Sequence, residues 1–183
     1  MIRKQRRSKT VSFRIDAELE GALRDQASQK GLSLNSYVNS LFRKCVELTP
    51  ILEQLTFIFV PKQLLVEILR HIDEKTLTSL ASDIVAPSLK EIAYSLRGKA
   101  DLEALRTIIE AFTKHGQTHA IPSQWKNGEE VILIIQHEIS RQLSILVGET
   151  IKTYVKDLGM HAEYEVTRNA TILTIRTKNK GTP

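Results

Sequence analysis

The sequence has a single cysteine, Cys45, among its 183 residues. One cysteine cannot close a disulfide within the chain or supply a cysteine-rich zinc site, a pattern typical of proteins in a reducing compartment. No apolar run approaches the roughly 20 residues that a bilayer-spanning helix needs, and the N-terminus lacks the apolar stretch of a secretory signal. These absences predict a soluble cytoplasmic protein without a membrane-spanning segment.

Catalytic motifs are absent as well. The sequence contains no glycine-rich phosphate loop, no Gly-x-Ser-x-Gly elbow and no His-Glu-x-x-His metal signature. His137 and Glu138 follow an apolar run, but neighbouring residues on a strand point to opposite faces, and no nucleophile motif accompanies them. We therefore expect a structural or surface role for this pair. The sequence predicts a protein that is not an enzyme and needs no cofactor.

Positive charge, by contrast, is abundant and concentrated at one end. Residues 1–49 hold ten Lys and Arg against five Asp and Glu, while the whole chain holds 26 against 21, so the net charge of +5 belongs to this region. Residues 1–8 form a basic arm at its start. Together with a pI near 9.3, this charge favours a nucleic acid or an anionic membrane surface as partner. The alternative for such a tail is a solvated arm without a partner.

After the arm, residues 10–15 alternate between two kinds of side chain with the period of a strand. The apolar face consists of Val11, Phe13 and Ile15. The polar face consists of Thr10, Ser12 and Arg14. No second strand pattern follows before Pro50, so the backbone of this strand needs a pairing partner from elsewhere.

Two helix patterns follow the strand. Asp16 is suited to cap the first helix, Gly31 to end it in a left-handed conformation, and Ser33 to cap the second. The second helix carries one continuous apolar stripe, which consists of Leu34, Tyr37, Val38, Leu41, Phe42, Cys45 and Val46. A two-helix unit is too small to bury this stripe alone, so the stripe predicts a homodimer and places Cys45 in its core.

This strand, glycine turn and stripe resemble the ribbon-helix-helix family of repressors over residues 9–48. In that family two chains pair their strands antiparallel, and the two-stranded ribbon enters the major groove of DNA. The resemblance implies a ribbon-helix-helix module at residues 9–49. It also implies a homodimeric, sequence-specific regulator of transcription that binds double-stranded DNA in the cytoplasm, at the nucleoid.

The resemblance assigns three sets of residues. The base-reading positions fall on Thr10, Ser12 and Arg14. Phosphate contacts fall on Ser33, Asn35 and Ser36 at the start of the second helix, and the arm adds Arg3, Lys4, Arg6, Arg7 and Lys9. The dimer core falls on Val11, Phe13, Ile15, Leu23, Tyr37, Val38, Leu41 and Phe42. Arg14 is the strongest of the readers, because a guanidinium donates two hydrogen bonds to guanine.

Residues 50–183 predict a separate, helical and α+β domain. Helical patterns cover residues 64–72, 77–96, 102–112 and 140–158, and Pro87 is expected to kink or divide the second of them. Strand patterns cover residues 55–60, 131–135, 163–167 and 171–176, and residues 116–129 predict a loop. The fold class is thus α+β, mostly helical, ending in strand, helix, strand, strand. Three roles stay open for this domain: binding a small-molecule or protein effector, binding another partner, and assembling dimers into higher oligomers.

Five histidines invite a test for metal binding, since nickel-responsive repressors join a ribbon-helix-helix module to an α+β sensor domain. Those sensors resemble His and Cys clusters in the second domain, whereas here Cys45 lies in the first. The histidines are scattered at His71, His115, His119, His137 and His161. Gly116 separates the closest pair, which makes a shared helical face doubtful. The sequence predicts no metal site.

Two other functions remain as alternatives. In an antitoxin, the same module represses its own promoter while the C-terminal region binds a toxin, although known antitoxins of this type usually have short, disorder-prone tails. A non-specific binder of nucleic acid or anionic membranes would use only the basic arm and show no preference for sequence. Comparing specific with random DNA at one salt concentration separates this last function from sequence-specific binding.

Overall fold

The computed structural model describes residues 9–55, 60–115, 119–126 and 130–176. The chain divides into two compact units, Met1–Lys44 and Cys45–Pro183. The described residues are mostly helical and include one antiparallel sheet, which confirms the predicted α+β class.

Two helices lie at the N-terminal end of the described residues, α1 (Ala17–Gln29) and α2 (Leu34–Glu47). They are joined by a turn in which the Leu32 amide donates a hydrogen bond to the Ala27 carbonyl at 2.9 Å. Gly31 in this turn has a φ of +64°, a conformation that glycine adopts without strain. The predicted helix end at Gly31 is therefore confirmed.

The C-terminal unit contains helices and strands in an order that the following ranges give. They are α3 (Thr49–Leu55), α4 (Lys62–Arg70), α5 (Glu74–Leu80), a π-helix (Ala81–Val85), α6 (Ala86–Arg97), α7 (Leu102–His115), β1 (His119–Lys126), β2 (Glu130–Gln136), α8 (Arg141–Asp157), β3 (His161–Val166) and β4 (Ala170–Arg176). The predicted cap of α8 is confirmed, because the Leu143 amide donates to the Ser140 hydroxyl oxygen at 3.3 Å.

Pro87 divides the long middle helical pattern, as the sequence predicts. Proline has no amide hydrogen, so it cannot form the regular helical bond to the carbonyl of Asp83. The turn before it is the π-helix, in which the Ala86 amide donates to the Ala81 carbonyl five residues back. The helical direction continues into α6, but with one widened turn next to the proline.

The four strands form one sheet in the order β1-β2-β4-β3, and every neighbouring pair is antiparallel. Strands β2 and β3 are therefore parallel to each other, with β4 between them and α8 connecting them. Burial alternates along β2 and β4, where Leu133 and Leu173 are register partners that both face the core. The predicted order of strand, helix, strand, strand is confirmed by β2, α8, β3 and β4.

Helix α8 packs against the sheet at an unusually close approach. A Cβ atom added to Gly148 would lie 2.5 Å from Cδ2 of the Tyr164 ring on β3, so only glycine lets the ring rest on the helix. On the same helix Tyr154 is fully buried, and its hydroxyl donates to the Asp101 carbonyl at 3.2 Å. Burial raises the pKa of Tyr154 to about 12. These contacts fix α8 between the sheet and the start of α7.

Two sequence predictions for this unit are wrong where the structure describes them. The predicted loop at 116–129 contains strand β1, in which Pro122 lies at a register shift between Ile121 and Gln124. A proline is tolerated there because β1 is an edge strand and the shift removes the need for its amide. The predicted strand at 55–60 is contradicted at Leu55, which ends helix α3, while residues 56–59 lie outside the described residues.

Candidate nucleic-acid interface

The predicted base-reading side chains Thr10, Ser12 and Arg14 are all exposed, and so is Lys9. Residues 9–16 form neither helix nor strand within the single chain, and Asp16 has extended backbone angles. Inside the described part of the chain, no backbone hydrogen bond involves residues 10–15. The backbone donors and acceptors of this segment are consequently open to a partner.

The apolar residues of the same segment are also exposed. Val11, Phe13 and Ile15 are 73%, 57% and 41% exposed. Phe13 makes an edge-to-face contact with the half-exposed Phe42 of α2, with ring centroids 5.8 Å apart and an interplanar angle of 65°. A single copy therefore leaves both faces of the segment in water, and holds it to α2 through one aromatic pair.

Helices α1 and α2 are held together around Tyr37, which is buried. Its hydroxyl donates to Oε1 of Gln26 at 2.5 Å, and Nζ of Lys30 lies 5.7 Å from its ring centroid. Ala27 is the other fully buried side chain among the described residues of the N-terminal unit. The core of this unit within one chain is thus very small.

The predicted dimer-core residues fall into three exposure groups. Tyr37 is buried, whereas Leu23, Val38 and Leu41 are half-buried. The exposed members are Val11, Phe13, Ile15 and Phe42. Cys45, which the stripe places in the core, is exposed in the chain, so that expectation is wrong for a single copy. It lies at the end of α2, where no described neighbour covers the stripe.

The predicted phosphate-binding side chains at the start of α2 are exposed but already engaged. Oγ of Ser33 accepts the Ser36 amide at 3.2 Å, which confirms the predicted cap, and donates to Oγ of Ser36 at 2.9 Å. The sequence did not predict the partner of Asn35, whose Oδ1 accepts from Asn39 at 3.1 Å. The other predicted phosphate contacts, Arg3, Lys4, Arg6 and Arg7, lie outside the described residues.

The C-terminal unit holds a buried polar network that the sequence did not predict. His137 is 3% exposed; its Nδ1 accepts from the Ile139 amide at 3.3 Å, so its Nε2 carries the proton and donates to Oγ of Ser144 at 3.0 Å. The Thr171 hydroxyl donates to the Ser144 carbonyl at 2.8 Å. Glu138, by contrast, is exposed and pairs with Lys62. The available signal was polar residues at core-facing positions of β4 and α8.

This network predicts a pH-dependent stability. Burial lowers the pKa of His137 below its usual 6.5. Between these two values the unfolded chain binds more protons, so the free energy of unfolding is full above pH 6.5 and is lost as pH falls toward the folded pKa. We expect this loss in denaturant titrations between pH 7 and pH 5, at no more than about 1.4 kcal/mol per pH unit.

His137→Gln should flatten that profile, because glutamine keeps a donor without titrating. His161→Gln, which changes an exposed histidine on β3, serves as the matched control and should retain the wild-type slope. Identical slopes for the wild type and His137→Gln over this range contradict the assignment.

The described residues contain no group of three or more His, Cys, Asp or Glu side chains that could hold a metal ion. His115 ends α7 and His119 begins β1, so the closest histidine pair in the sequence falls on two different elements. Among the residues with assigned structure, no helix is long and apolar enough to cross a membrane.

Comparison with known proteins gives no relative. No protein-family model matches the chain, and no curated protein matches it.

Proposed function

We propose that this protein is a sequence-specific DNA-binding regulator of transcription, which acts as a homodimer through a ribbon-helix-helix module at residues 9–49. The observation that carries the proposal is the condition of residues 10–15. This segment has an alternating pattern, an unpaired backbone and an apolar face that one chain leaves in water. A second copy of the same segment supplies what each of these features lacks.

Antiparallel pairing of two such segments satisfies the open backbone groups and puts like faces together. The apolar face, with Phe13 at its middle, then turns toward α1 and α2 of both copies. The edge-to-face contact between Phe13 and Phe42 already aims the segment toward α2 in a single chain. Pairing also enlarges a core in which one copy fully buries only Ala27 and Tyr37 among its described residues.

The same pairing places Thr10, Ser12 and Arg14 of both copies on the opposite, outer face of the ribbon. A two-stranded ribbon fits the major groove, where Arg14 can donate two hydrogen bonds to O6 and N7 of a guanine. Thr10 and Ser12 can donate, accept or touch a thymine methyl group. Two copies related by a two-fold axis read a palindromic site.

Phosphate contacts come from the excess positive charge of residues 1–49 and from the first turn of α2. The caps leave the amides of Leu34 and Asn35 without a helical partner, and such amides at a helix start bind phosphate. We assign the C-terminal unit the task of modulating or assembling these dimers. The proposal places the protein on double-stranded DNA, in the compartment of the nucleoid.

Arg14→Ala tests direct reading of bases. The operator is first obtained by selecting bound sequences from a random DNA pool, and affinities are then measured on the selected and on random DNA at one salt concentration. We expect a loss of about 1–3 kcal/mol on the selected site, or about five- to 150-fold, and little change on random DNA.

Arg24→Ala is the matched control, because it removes the same charge from α1, where Arg24 pairs with Glu20. It should weaken both DNAs alike and only slightly. Equal losses for Arg14→Ala on both DNAs, or a selection that enriches no sequence, count against the proposed function.

A further inference from the structure

A cavity of about 440 Å³ lies within the C-terminal unit. Its walls come from the π-helix and α6, from α7, from α8 and from Ile135 of β2. Most of the lining side chains are aliphatic or aromatic, including Leu89, Ile109, Phe112 and Val147. The volume falls within the roughly 300–1,000 Å³ that small-molecule sites occupy.

The wall offers no polar group to a ligand. Three hydroxyl-bearing residues line it, Ser88, Thr113 and Thr150. Ser88 donates back to the Ile84 carbonyl at 2.9 Å, and Thr113 donates back to the Ile109 carbonyl at 2.8 Å. The Thr150 hydroxyl is closed off from solvent and has no partner among the described residues. Each of the three therefore presents carbon atoms to the cavity.

The lining also contains no charged side chain. A charged group placed there would lose its hydration without gaining a partner, at a cost of several kcal/mol. An uncharged apolar molecule, by contrast, would gain about 25 cal/mol for each Å² of apolar surface removed from water. The chemistry of the wall thus selects against carboxylates, phosphates and amines.

The cavity borders the one π-helix among the described residues, since Val85 is both its last residue and part of the wall. Such widened turns occur frequently at functional sites. Pro87 keeps a regular helix from forming at that point. The widening and the apolar cavity are separate observations that coincide in space.

We propose that this cavity binds an uncharged, apolar small molecule. The site lies wholly within the C-terminal unit and does not depend on the proposed binding of DNA. It fills with one molecule per chain, held by contacts with α6, α7, α8 and β2.

The neutral fluorescent dye N-phenyl-1-naphthylamine is the probe, titrated into the full chain. We expect saturable binding of one dye per chain and an increase in the melting temperature of the wild type. Decanol should displace the dye, and decanoate, which has the same chain length but a charge, should be at least about tenfold weaker. Equal competition by both, or dye binding without saturation, overturns the proposal.

Variants then locate the dye. Ile109→Trp on α7 and Val147→Phe on α8 fill the cavity from opposite walls, and each should weaken the dye at least about tenfold. Leu64→Trp adds the same ring at an exposed position on α4, and Thr150→Val keeps the volume while removing the unpartnered hydroxyl; both should retain wild-type affinity. If one filling variant does not fold, the other decides. Unchanged dye affinity in a folded filling variant overturns the proposal.

Discussion

Phe13→Asp is expected to abolish both the dimer and the specific binding of DNA. In the proposed dimer the substitution places a carboxylate in the shared apolar core, where an unpaired charge costs several kcal/mol. In a single chain Phe13 is 57% exposed, so the same carboxylate stays hydrated and the helices remain folded. Sedimentation should therefore show a folded monomer, and binding to the selected site should fall by at least about 100-fold.

The matched control for this substitution is Ser28→Asp. It adds the same negative charge to α1, but at an exposed position away from the pair of Phe13 and Phe42. We expect this variant to remain dimeric, with a slightly weaker affinity for any DNA. A dimeric Phe13→Asp protein that binds the selected site would show that the apolar face of residues 10–15 has been assigned wrongly. Should dimerisation come from the C-terminal unit, sedimentation and DNA binding will separate in this variant.

Deleting residues 1–7 should weaken specific and random DNA alike and flatten the salt dependence. The deletion removes Arg3, Lys4, Arg6 and Arg7, or eight positive charges from a dimer. Each phosphate contact contributes about 0.9 to the slope of log affinity against log salt, so a fully engaged arm contributes up to about 7. Affinity on both DNAs is measured between low and physiological salt.

The control for the deletion exchanges Arg3, Arg6 and Arg7 for lysine. This change keeps every charge and removes only the guanidinium geometry, so the salt slope should stay as in the wild type. A truncated protein that keeps the full slope would identify the arm as solvated. A truncated protein that loses its preference for the selected site would assign base reading to the arm instead of to Arg14.

The two experiments separate the two parts of the interface. Phe13→Asp removes the dimer and with it the paired readers, whereas the deletion lowers affinity but keeps the ratio of specific to random binding. A non-specific binder that uses only its basic arm shows the opposite result, since it has no ratio to lose.

Features that depend on a few neighbouring residues were predictable from the sequence. Gly31 and Ser140 were expected to end and to begin helices, and both do so, because helix caps are formed within one turn of the chain. The alternating burial of β2 and β4 follows directly from their apolar period. The exposure of Thr10, Ser12 and Arg14 likewise agrees with the polar face of the alternating segment.

Features that depend on distant partners were predicted poorly. Strand β1 was taken for a loop because of Pro122, and what admits the proline is its edge position beside β2, which no local pattern records. Leu55 was assigned to a strand on its β-branched and aromatic neighbours, yet it ends helix α3. The pairing of His137 with Ser144 joins the end of β2 to α8, so it too was invisible in the sequence.

The sequence by itself determined the excess of positive charge at residues 1–49, the two-faced segment at 10–15 and most helix ends, since these follow from composition, period and local capping. Only the tertiary structure decided the strand order β1-β2-β4-β3, the buried polar network and the apolar cavity. The physical reason is that sheet pairing and packing voids arise where residues far apart in the chain meet, and their shape depends on all of the walls at once.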